Sequence, residues 1–304
     1  MNKKSTINSL TKKLEKINYL KVENSKKLEE YTSFEVGGPA DIFLTPKNID
    51  AVKKMMPLVV DSKLPYFILG RGSNLIISDK GYRGIIIYTG ELKDYKVHAN
   101  ILEAESGIEL KELSEIALSE SLSGLEFASG IPGSLGGALY MNAGAYGGEM
   151  KDVIKTAFFV NKKGEVIEKS QEELELDYRT SILQQRDLDL ITVKVILSLE
   201  KSDEKTIKAE MDELHERRWD KQPMHLPSAG SIFKRPPGHY TGALIEKAEM
   251  KGYQIGGAQV STKHAGFIVN KGDATADDIV QLIEKIKEEV YKISGVQLEV
   301  EPRF

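Results

Sequence analysis

Residues 124–149 of this chain read GLEFASGIPGSLGGALYMNAGAYGGE, a stretch with very little charge and eight glycines. That glycine content is far above a background of about 7%. Each glycine costs conformational entropy on folding, and a purely structural turn seldom needs so many. The segment therefore favours a binding loop whose backbone lies against a flat cofactor, with a glycine-rich structural turn as the alternative.

A second glycine turn occurs upstream, where residues 66–77 read YFILGRGSNLII. Gly70 and Gly72 follow a predicted strand, and Ser73 and Asn74 add side-chain donors. Backbone N–H groups that converge in such a turn suit a pyrophosphate. The third glycine of the Rossmann fingerprint and the lysine of the Walker signature are both absent. Taken alone, this turn is equally consistent with a phosphate site and with a tight turn.

The remaining sequence predicts alternating helices and strands, and Pro57 is expected to stop or kink the second helix. A hairpin turn is predicted at 161–164, and the Pro- and Gly-containing segment 221–230 is predicted to be a hinge. The predicted helices are 6–20, 48–56, 109–121, 203–219, 241–250 and 275–292. The predicted strands are 40–44, 66–69, 84–88, 100–106, 156–160, 164–169, 190–200, 259–270 and 296–304.

Composition excludes several classes of protein. The 304 residues carry a net charge of -4, which argues against nucleic acid as a partner. No cysteine is present, so disulfides, thiol nucleophiles and cysteine-bound metals are excluded. The histidines are too far apart for a paired metal site: His98, His215, His225, His239 and His264. No signal peptide or membrane span is predicted, so we expect a cytoplasmic protein with no required protein partner.

Three shorter motifs contain polar residues that are open to more than one interpretation. LDYRTS places Arg179 beside Tyr178, although a surface arginine is most often solvated or paired with a carboxylate. SAGSIFK contains Ser231 and Lys234, which could donate a proton or bind phosphate, or could simply form a helix cap. LEVEPRF contains Glu301, and alternating charges on a strand ordinarily face solvent.

Taken together and in this order, the motifs resemble the UDP-N-acetylenolpyruvoylglucosamine reductase family. The resemblance extends from about residue 31 to the end, and its specificity comes from the whole set of segments. The short interval between Arg179 and Ser231 resembles the subclass that lacks an inserted tyrosine-bearing loop. The matching segments are YTSFEVGGPAD, LGRGSNLI, GLEFASGIPGSLGGALYMNAGAYGGE, LDYRTS, RRWDKQP, PSAGSIFKRP and LEVEPRF.

The resemblance implies an α+β fold of the vanillyl-alcohol-oxidase (PCMH) type. Two α/β subdomains would bind FAD, and a C-terminal α/β domain would bind substrate. On this basis we expect an N-terminal FAD-binding subdomain over residues 1–92, a second over 93–202, and the substrate-binding domain over 203–304.

The resemblance also implies the site residues. Noncovalent FAD would be held by Gly70, Arg71, Gly72, Ser73, Asn74, Gly130, Ile131, Pro132, Gly133, Ser134, Gly136 and Gly137. The catalytic residues would be Arg179, Ser231 and Glu301, with Tyr178, Lys234 and Arg235 contacting substrate and no metal required. One difference bears on Glu301: the family usually ends in Pro-Glu-Val-Arg, whereas this chain has Val-Glu-Pro-Arg at 300–303. Because proline restricts the preceding residue, the backbone at Glu301 is expected to differ slightly.

The implied reaction is NADPH-dependent reduction of UDP-N-acetylglucosamine enolpyruvate to UDP-N-acetylmuramate in bacterial peptidoglycan synthesis. Arg179 would stabilise negative charge on the substrate, Glu301 would assist by hydrogen bonding, and Ser231 would donate the proton. Two alternatives remain open. One is an FAD oxidase of a hydroxy acid or sugar lactone, and the other is a nucleotide-binding regulatory module without turnover.

Overall fold

A computed structural model describes residues 3–185 and 188–304 of the chain. These residues form two compact units, and neither unit is a single continuous stretch of sequence. The first consists of the described residues up to Ser25 together with Asp41–Arg71 and Arg83–Glu216. The second consists of Lys26–Ala40, Gly72–Tyr82 and Arg217–Phe304. The three domains expected from the sequence, with boundaries after residues 92 and 202, stay a prediction.

Helices and strands alternate along much of the chain, as predicted. The α-helices are α1 (Lys3–Leu14), α2 (Ile49–Asp61), α3 (Leu110–Ser119), α4 (Leu135–Met141), α5 (Glu204–Lys221), α6 (Thr241–Lys247) and α7 (Ala276–Ser294). The strands are β1 (Leu20–Lys27), β2 (Pro39–Pro46), β3 (Tyr66–Leu69), β4 (Tyr82–Tyr88), β5 (Tyr95–His98), β6 (Ile101–Glu105), β7 (Leu122–Ser123), β8 (Gly144–Ala145), β9 (Gly148–Glu149), β10 (Ile154–Val160), β11 (Val166–Ser170), β12 (Ile191–Ser198), β13 (Glu200–Lys201), β14 (Gln254–Ile255), β15 (Ala258–Val260) and β16 (Ile268–Asn270).

A four-stranded sheet, whose strands lie mainly in the first unit, has the order β1-β2-β4-β3. Strands β3 and β4 run parallel, with Tyr66 opposite Ile85. The predicted strand-helix-strand unit from β2 through α2 to β3 is confirmed. Apolar side chains of α1, α2 and this sheet form one core, in which Leu14, Ile42 and Met55 are fully buried.

The structure corrects two expectations for this region. The predicted helix over 6–20 ends at Leu14, because Tyr19 has a φ of 63° and the chain turns there into strand β1. Of the two effects expected of Pro57, a stop is ruled out because the second helix continues to Asp61, and a kink stays a prediction. A proline lacks an N–H donor, but the apolar face of α2 remains packed in the core on both sides of it.

A second sheet in the first unit is antiparallel and has the order β11-β10-β12-β6-β5. The turn between β10 and β11 is the predicted hairpin, closed by a 2.9 Å hydrogen bond from Gly164 N to Asn161 O. Helices α3 and α4 share a core with this sheet, which buries Leu113, Leu135 and Val195. The last three residues of the glycine loop, 135–137, form the start of α4.

The second unit contains α6, α7 and the three-stranded sheet β14-β15-β16. Helix α7 begins at a capping box of Thr275 and Asp278 and ends at Gly295, which has a φ of 69°. The predicted strand over 259–270 is instead a hairpin of β15 and β16. The predicted strand over 296–304 is wrong as a continuous element, because it pairs only through isolated bridges at Val300 and Arg303. Within residues 3–185 and 188–304, every helix is too short or too polar to cross a membrane.

Candidate active site

The glycine turn after β3 lies against the glycine loop of residues 130–137. A Cβ atom on Gly70 would lie 2.5 Å from Ser134 Oγ, so a larger residue at position 70 would have to displace this hydroxyl. Arg71 Nε lies 3.3 Å from Glu109 Oε1, and Glu109 forms an isolated β-bridge with Ser134. The structure therefore brings Gly70 and Arg71 together with the loop that is predicted to bind the same cofactor.

Two serine hydroxyls in this region are buried and, within the described residues, make no hydrogen bond. Ser106 and Ser134 are only 1% and 2% exposed. Leaving a buried hydroxyl unsatisfied costs about 1–3 kcal/mol. Pro132 and Gly137, in the same loop, are exposed to solvent. Unsatisfied polar atoms beside an open stretch of glycine backbone fit a bound polar cofactor, whose own groups would supply the missing partners.

The other half of the glycine turn, residues 72–74, belongs to the second unit. Gly72 has a φ of +66°, and its O accepts a 3.2 Å hydrogen bond from Ser33 N. A Cβ atom at this position would lie 1.9 Å from Tyr31 O. Both the left-handed conformation and the close approach of the two backbones require glycine here.

Asn74 connects this turn to the segment that contains Glu301. Its Nδ2 donates to Glu301 O at 3.3 Å, and its O accepts from Arg303 N at 3.0 Å. On its other side, Glu301 N donates to Ile232 O at 2.9 Å. Pro302 lies between two residues that both use their N–H groups in pairing, so its own missing donor does not interrupt this arrangement. The backbone of Glu301 is therefore held from two sides despite the proline.

Ser231 lies on the segment that pairs with Glu301. It is exposed and forms an isolated antiparallel bridge with Phe267. The next residue, Ile232, accepts the hydrogen bond from Glu301 N described above. The structure thus places two of the three predicted catalytic residues on neighbouring backbone segments of the second unit.

His264 supports the strand partner of Ser231. Its Nδ1 accepts a 3.0 Å hydrogen bond from Gly266 N, and its ring packs edge-on against Phe267 with centroids 5.1 Å apart. Burial lowers the pKa of His264; a backbone hydrogen bond and Glu246 oppose this shift, and Lys251 adds to it. The neutral ring is the form that accepts from Gly266.

Lys234 and Arg235, the predicted substrate-binding residues, already have partners within the second unit. Lys234 Nζ lies 2.5 Å from Glu299 Oε1. Arg235 Nε donates to His239 O at 3.2 Å, and its guanidinium carbon lies 4.1 Å from the centre of the Tyr240 ring. An anionic ligand at Lys234 would compete with the Glu299 carboxylate.

Arg179 belongs to the first unit and lies in a tight turn. Asp177 and Thr180 close the turn through backbone hydrogen bonds of 3.0 and 3.3 Å. Arg179 has a φ of +55°, its Nη2 donates to Gly144 O at 3.4 Å, and its guanidinium carbon lies 5.3 Å from the Tyr178 ring centre. The turn, including its arginine, is therefore anchored to the β8–β9 hairpin.

The predicted catalytic residues are thus divided, with Arg179 in the first unit and Ser231 and Glu301 in the second. Ser106 and Glu109 contact the glycine segments from distant positions, and no local motif marks either residue in the sequence. Within the described ranges, no group of three or more histidine and carboxylate side chains is placed to hold a metal ion.

Two family models match this chain. An FAD binding domain model matches residues 40–170, and a model of the UDP-N-acetylenolpyruvoylglucosamine reductase C-terminal domain matches residues 222–304. The chain is 53% identical over 278 residues to a UDP-N-acetylenolpyruvoylglucosamine reductase from Alkaliphilus oremlandii, covering 91% of each protein. It is 45% identical over 296 residues to the enzyme of that name from Clostridium novyi, covering 97% of this chain and 96% of the relative.

A solved structure supports the same relationship. The crystal structure of a UDP-N-acetylenolpyruvylglucosamine reductase from Thermus caldophilus matches with a TM-score of 0.81 and 34% sequence identity. The match covers 94% of this chain and 99% of that one. The α+β fold with an FAD-binding domain, expected from the sequence, is confirmed by these matches.

Proposed function

This chain belongs to the family of UDP-N-acetylenolpyruvoylglucosamine reductases, and we propose that it reduces UDP-N-acetylglucosamine enolpyruvate to UDP-N-acetylmuramate. NADPH is the proposed electron donor, and the proposed role is cytoplasmic synthesis of peptidoglycan precursors. The observation that carries the proposal is the hydrogen bond from Glu301 N to Ile232 O, because it sets the Glu301 segment beside that of Ser231.

FAD is proposed to bind noncovalently at the two glycine segments. When bound, it supplies a two-electron carrier between NADPH and the substrate. The residues proposed to hold it are 70–74 of the first glycine segment and 130–137 of the second. Unsatisfied hydroxyls and close backbone approaches in the first unit support this assignment. The chain has no cysteine for a covalent link, and neither glycine segment contains histidine.

Arg179, Ser231 and Glu301 are proposed to handle the charge and the proton of the reaction. Reduction at the methylene carbon leaves negative charge on the α-carbon and its carboxylate, and the α-carbon then takes up a proton. The planar guanidinium of Arg179 suits a carboxylate, since it offers paired N–H donors. The Ser231 hydroxyl would donate the proton, and Glu301 would hydrogen-bond to the developing anion.

Substrate binding is assigned to Tyr178, Lys234 and Arg235. Lys234 and Arg235 are cations on one segment of the second unit, which suits the diphosphate of a sugar nucleotide. The pairing of Lys234 with the exposed Glu299 carboxylate is consistent with this role, because an exposed ion pair is worth only about 0–1 kcal/mol and can be exchanged for a phosphate.

The test separates the two half-reactions by stopped flow. Ser231→Ala should leave flavin reduction by NADPH nearly unchanged but slow reoxidation by the enolpyruvyl substrate about a hundredfold or more, as loss of a proton donor typically does. Ser228→Ala removes a hydroxyl three residues away in the same loop. This matched control should leave both rates within about twofold of wild type.

Two outcomes would contradict the proposal. If Ser231→Ala slows both half-reactions equally, the serine supports folding or flavin binding and does not donate the proton. If NADPH oxidation by the wild-type protein does not depend on the enolpyruvyl sugar nucleotide, the proposed reaction is wrong and an oxidase that uses the same cofactor becomes the better interpretation.

A further inference from the structure

We propose that Asn142 is a positioning residue that holds the turn containing Arg179 in its active conformation. Nothing in its sequence motif gives it this role, since it follows the glycine loop as one small polar residue among apolar neighbours. The inference rests on the function proposed above for Arg179. It concerns the first unit alone, where all the contacts described below occur.

The side chain of Asn142 is buried and makes three hydrogen bonds. It is 1% exposed and ends helix α4 with a left-handed φ of 42°. Its Nδ2 donates to Glu149 Oε2 at 2.9 Å and to Asp177 O at 3.1 Å. Its Oδ1 accepts from Lys151 N at 2.9 Å. A single amide thus joins the end of α4, the β9 region and the turn that begins at Asp177.

The Asp177 carbonyl is the point at which Asn142 acts on the turn. It accepts from Asn142 on one side and from Thr180 N, at 3.0 Å, on the other. Arg179 lies in the turn between Asp177 and Thr180 and has a left-handed φ of +55°. A non-glycine residue in that conformation costs about 1–3 kcal/mol and persists only where its surroundings fix it. The bond from Asn142 is one of the contacts that fix it.

Asn142 also fixes the hairpin that contacts the Arg179 side chain. Arg179 Nη2 donates to Gly144 O on strand β8. Strand β9, paired with β8, contains Glu149, which accepts from Asn142. The backbone of the turn and the partner of the guanidinium are therefore both tied to one buried amide.

A second contact places the same end of α4 against the far side of the turn. Tyr140 O accepts from Ser181 Oγ at 2.8 Å and from Gln184 Nε2 at 3.0 Å. Gln184 Nε2 also lies 3.0 Å from Arg179 O. The first three residues of helix α4 belong to the glycine loop of residues 130–137, so only its last four residues, about 6 Å of helix, separate the proposed flavin loop from Asn142.

An Asn142→Asp substitution tests this arrangement with little change in shape. Aspartate offers only acceptors, and it would face the Glu149 carboxylate and the Asp177 carbonyl at the distances now bridged by Nδ2. We expect it to displace the turn and to slow flavin reoxidation by the enolpyruvyl substrate about tenfold to a hundredfold, as a small misplacement of a catalytic group does. Flavin reduction by NADPH should stay within about twofold of wild type.

Asn161→Asp is a matched control. Asn161 Nδ2 also donates to a glutamate, Glu165, at 2.9 Å, and its Oδ1 accepts from Lys163 N at 2.9 Å. It lies in the exposed turn between β10 and β11. This variant should leave both half-reactions within about twofold of wild type.

Asn142→Gly provides a second test variant that tolerates the left-handed φ and removes all three bonds of the Asn142 side chain without adding charge.

The decisive measurement combines these changes with Arg179→Ala. If Asn142 acts through Arg179, adding Asn142→Asp or Asn142→Gly to Arg179→Ala should change reoxidation by less than about twofold. An equal slowing in both backgrounds would overturn the inference, as would normal reoxidation in both Asn142 single variants. If flavin reoxidation is normal in the Asn142 variants but slow in Arg179→Ala, the proposed role of Arg179 stands and that of Asn142 fails. If Arg179→Ala itself reoxidises normally, the proposed role of Arg179 and this inference both fail.

Discussion

Replacing Gly72 with alanine should destabilise the second unit far more than an ordinary glycine-to-alanine change. The new Cβ would lie 1.9 Å from Tyr31 O, whereas Cβ atoms in proteins essentially never approach closer than 3.0 Å, so one backbone must move by at least the 1.1 Å difference. Such overpacking costs about 1–3 kcal/mol. The left-handed φ of +66° adds about 1–2 kcal/mol for alanine. Loss of the Ser33 N–Gly72 O bond adds about 0.5–1.5 kcal/mol, so we expect about 2.5–6.5 kcal/mol in all.

Gly238→Ala provides the matched control for this prediction. Gly238 has a similar φ of +74°, but no heavy atom of the described residues lies within 4 Å of its added Cβ. The Gly238→Ala substitution should therefore lower the free energy of unfolding only by the conformational cost of about 1–2 kcal/mol. The difference between the two variants isolates the collision with Tyr31.

The assay is urea unfolding of the FAD-free protein, followed by tryptophan fluorescence. Trp219 is the only tryptophan in the sequence and belongs to the second unit, as both glycines do. Flavin content after purification provides a second readout, and it should fall in the Gly72 variant. Equal free energies of unfolding for the two variants would refute the reasoning, because they would show that the backbone at Tyr31 can move away from the new Cβ without loss of stability.

Three further predictions concern the cofactor, Glu301 and His264. Acid precipitation should release free FAD from the yellow protein, and flavin retained on the polypeptide would contradict noncovalent binding. Glu301→Gln should keep more substrate-reduction activity than Glu301→Ala, since glutamine preserves a hydrogen-bond donor of similar length, and equal losses would rule out a donor role. Because burial lowers the pKa of His264, the unfolded protein binds more protons below about pH 6.5, so this residue's contribution to the free energy of unfolding should decrease as pH falls through that range. His264→Asn retains an acceptor for Gly266 N and should weaken this acid-side decrease in the urea midpoint; an unchanged pH dependence would assign the decrease to other groups.

Elements that depend on local patterns could be predicted from the sequence. The spacing of Ile279, Ile283 and Ile286, all of which are buried, is typical of a helix, and Gly295 stands just beyond the end of α7. The apolar run at 84–88 likewise predicts strand β4 from a local pattern alone. Both glycine segments were recognised as candidate cofactor sites because glycine-rich composition is visible without knowledge of the fold.

Features that depend on distant partners were not predictable in this way. The apolar spacing in 6–20 continues past Leu14, yet the chain turns at Tyr19 and enters strand β1, which pairs with β2. The segment 296–304 alternates like a strand but finds only single bridges. The contact between Asn74 and Glu301 joins residues 227 positions apart, which no local pattern encodes.

The discontinuity of the second unit has a consequence for how the protein is made. The carboxylate of Asp79 accepts from Ala276 N at 2.9 Å, at the start of α7, and the partners are 197 residues apart. Asn270 Nδ2 donates to Phe34 O at 2.9 Å across a similar separation. At about 5–20 residues per second on the ribosome, residue 79 waits about 10–40 s for its partner to be synthesised. The segments 26–40 and 72–82 therefore emerge long before the rest of their unit, and chaperones have this interval in which to bind them.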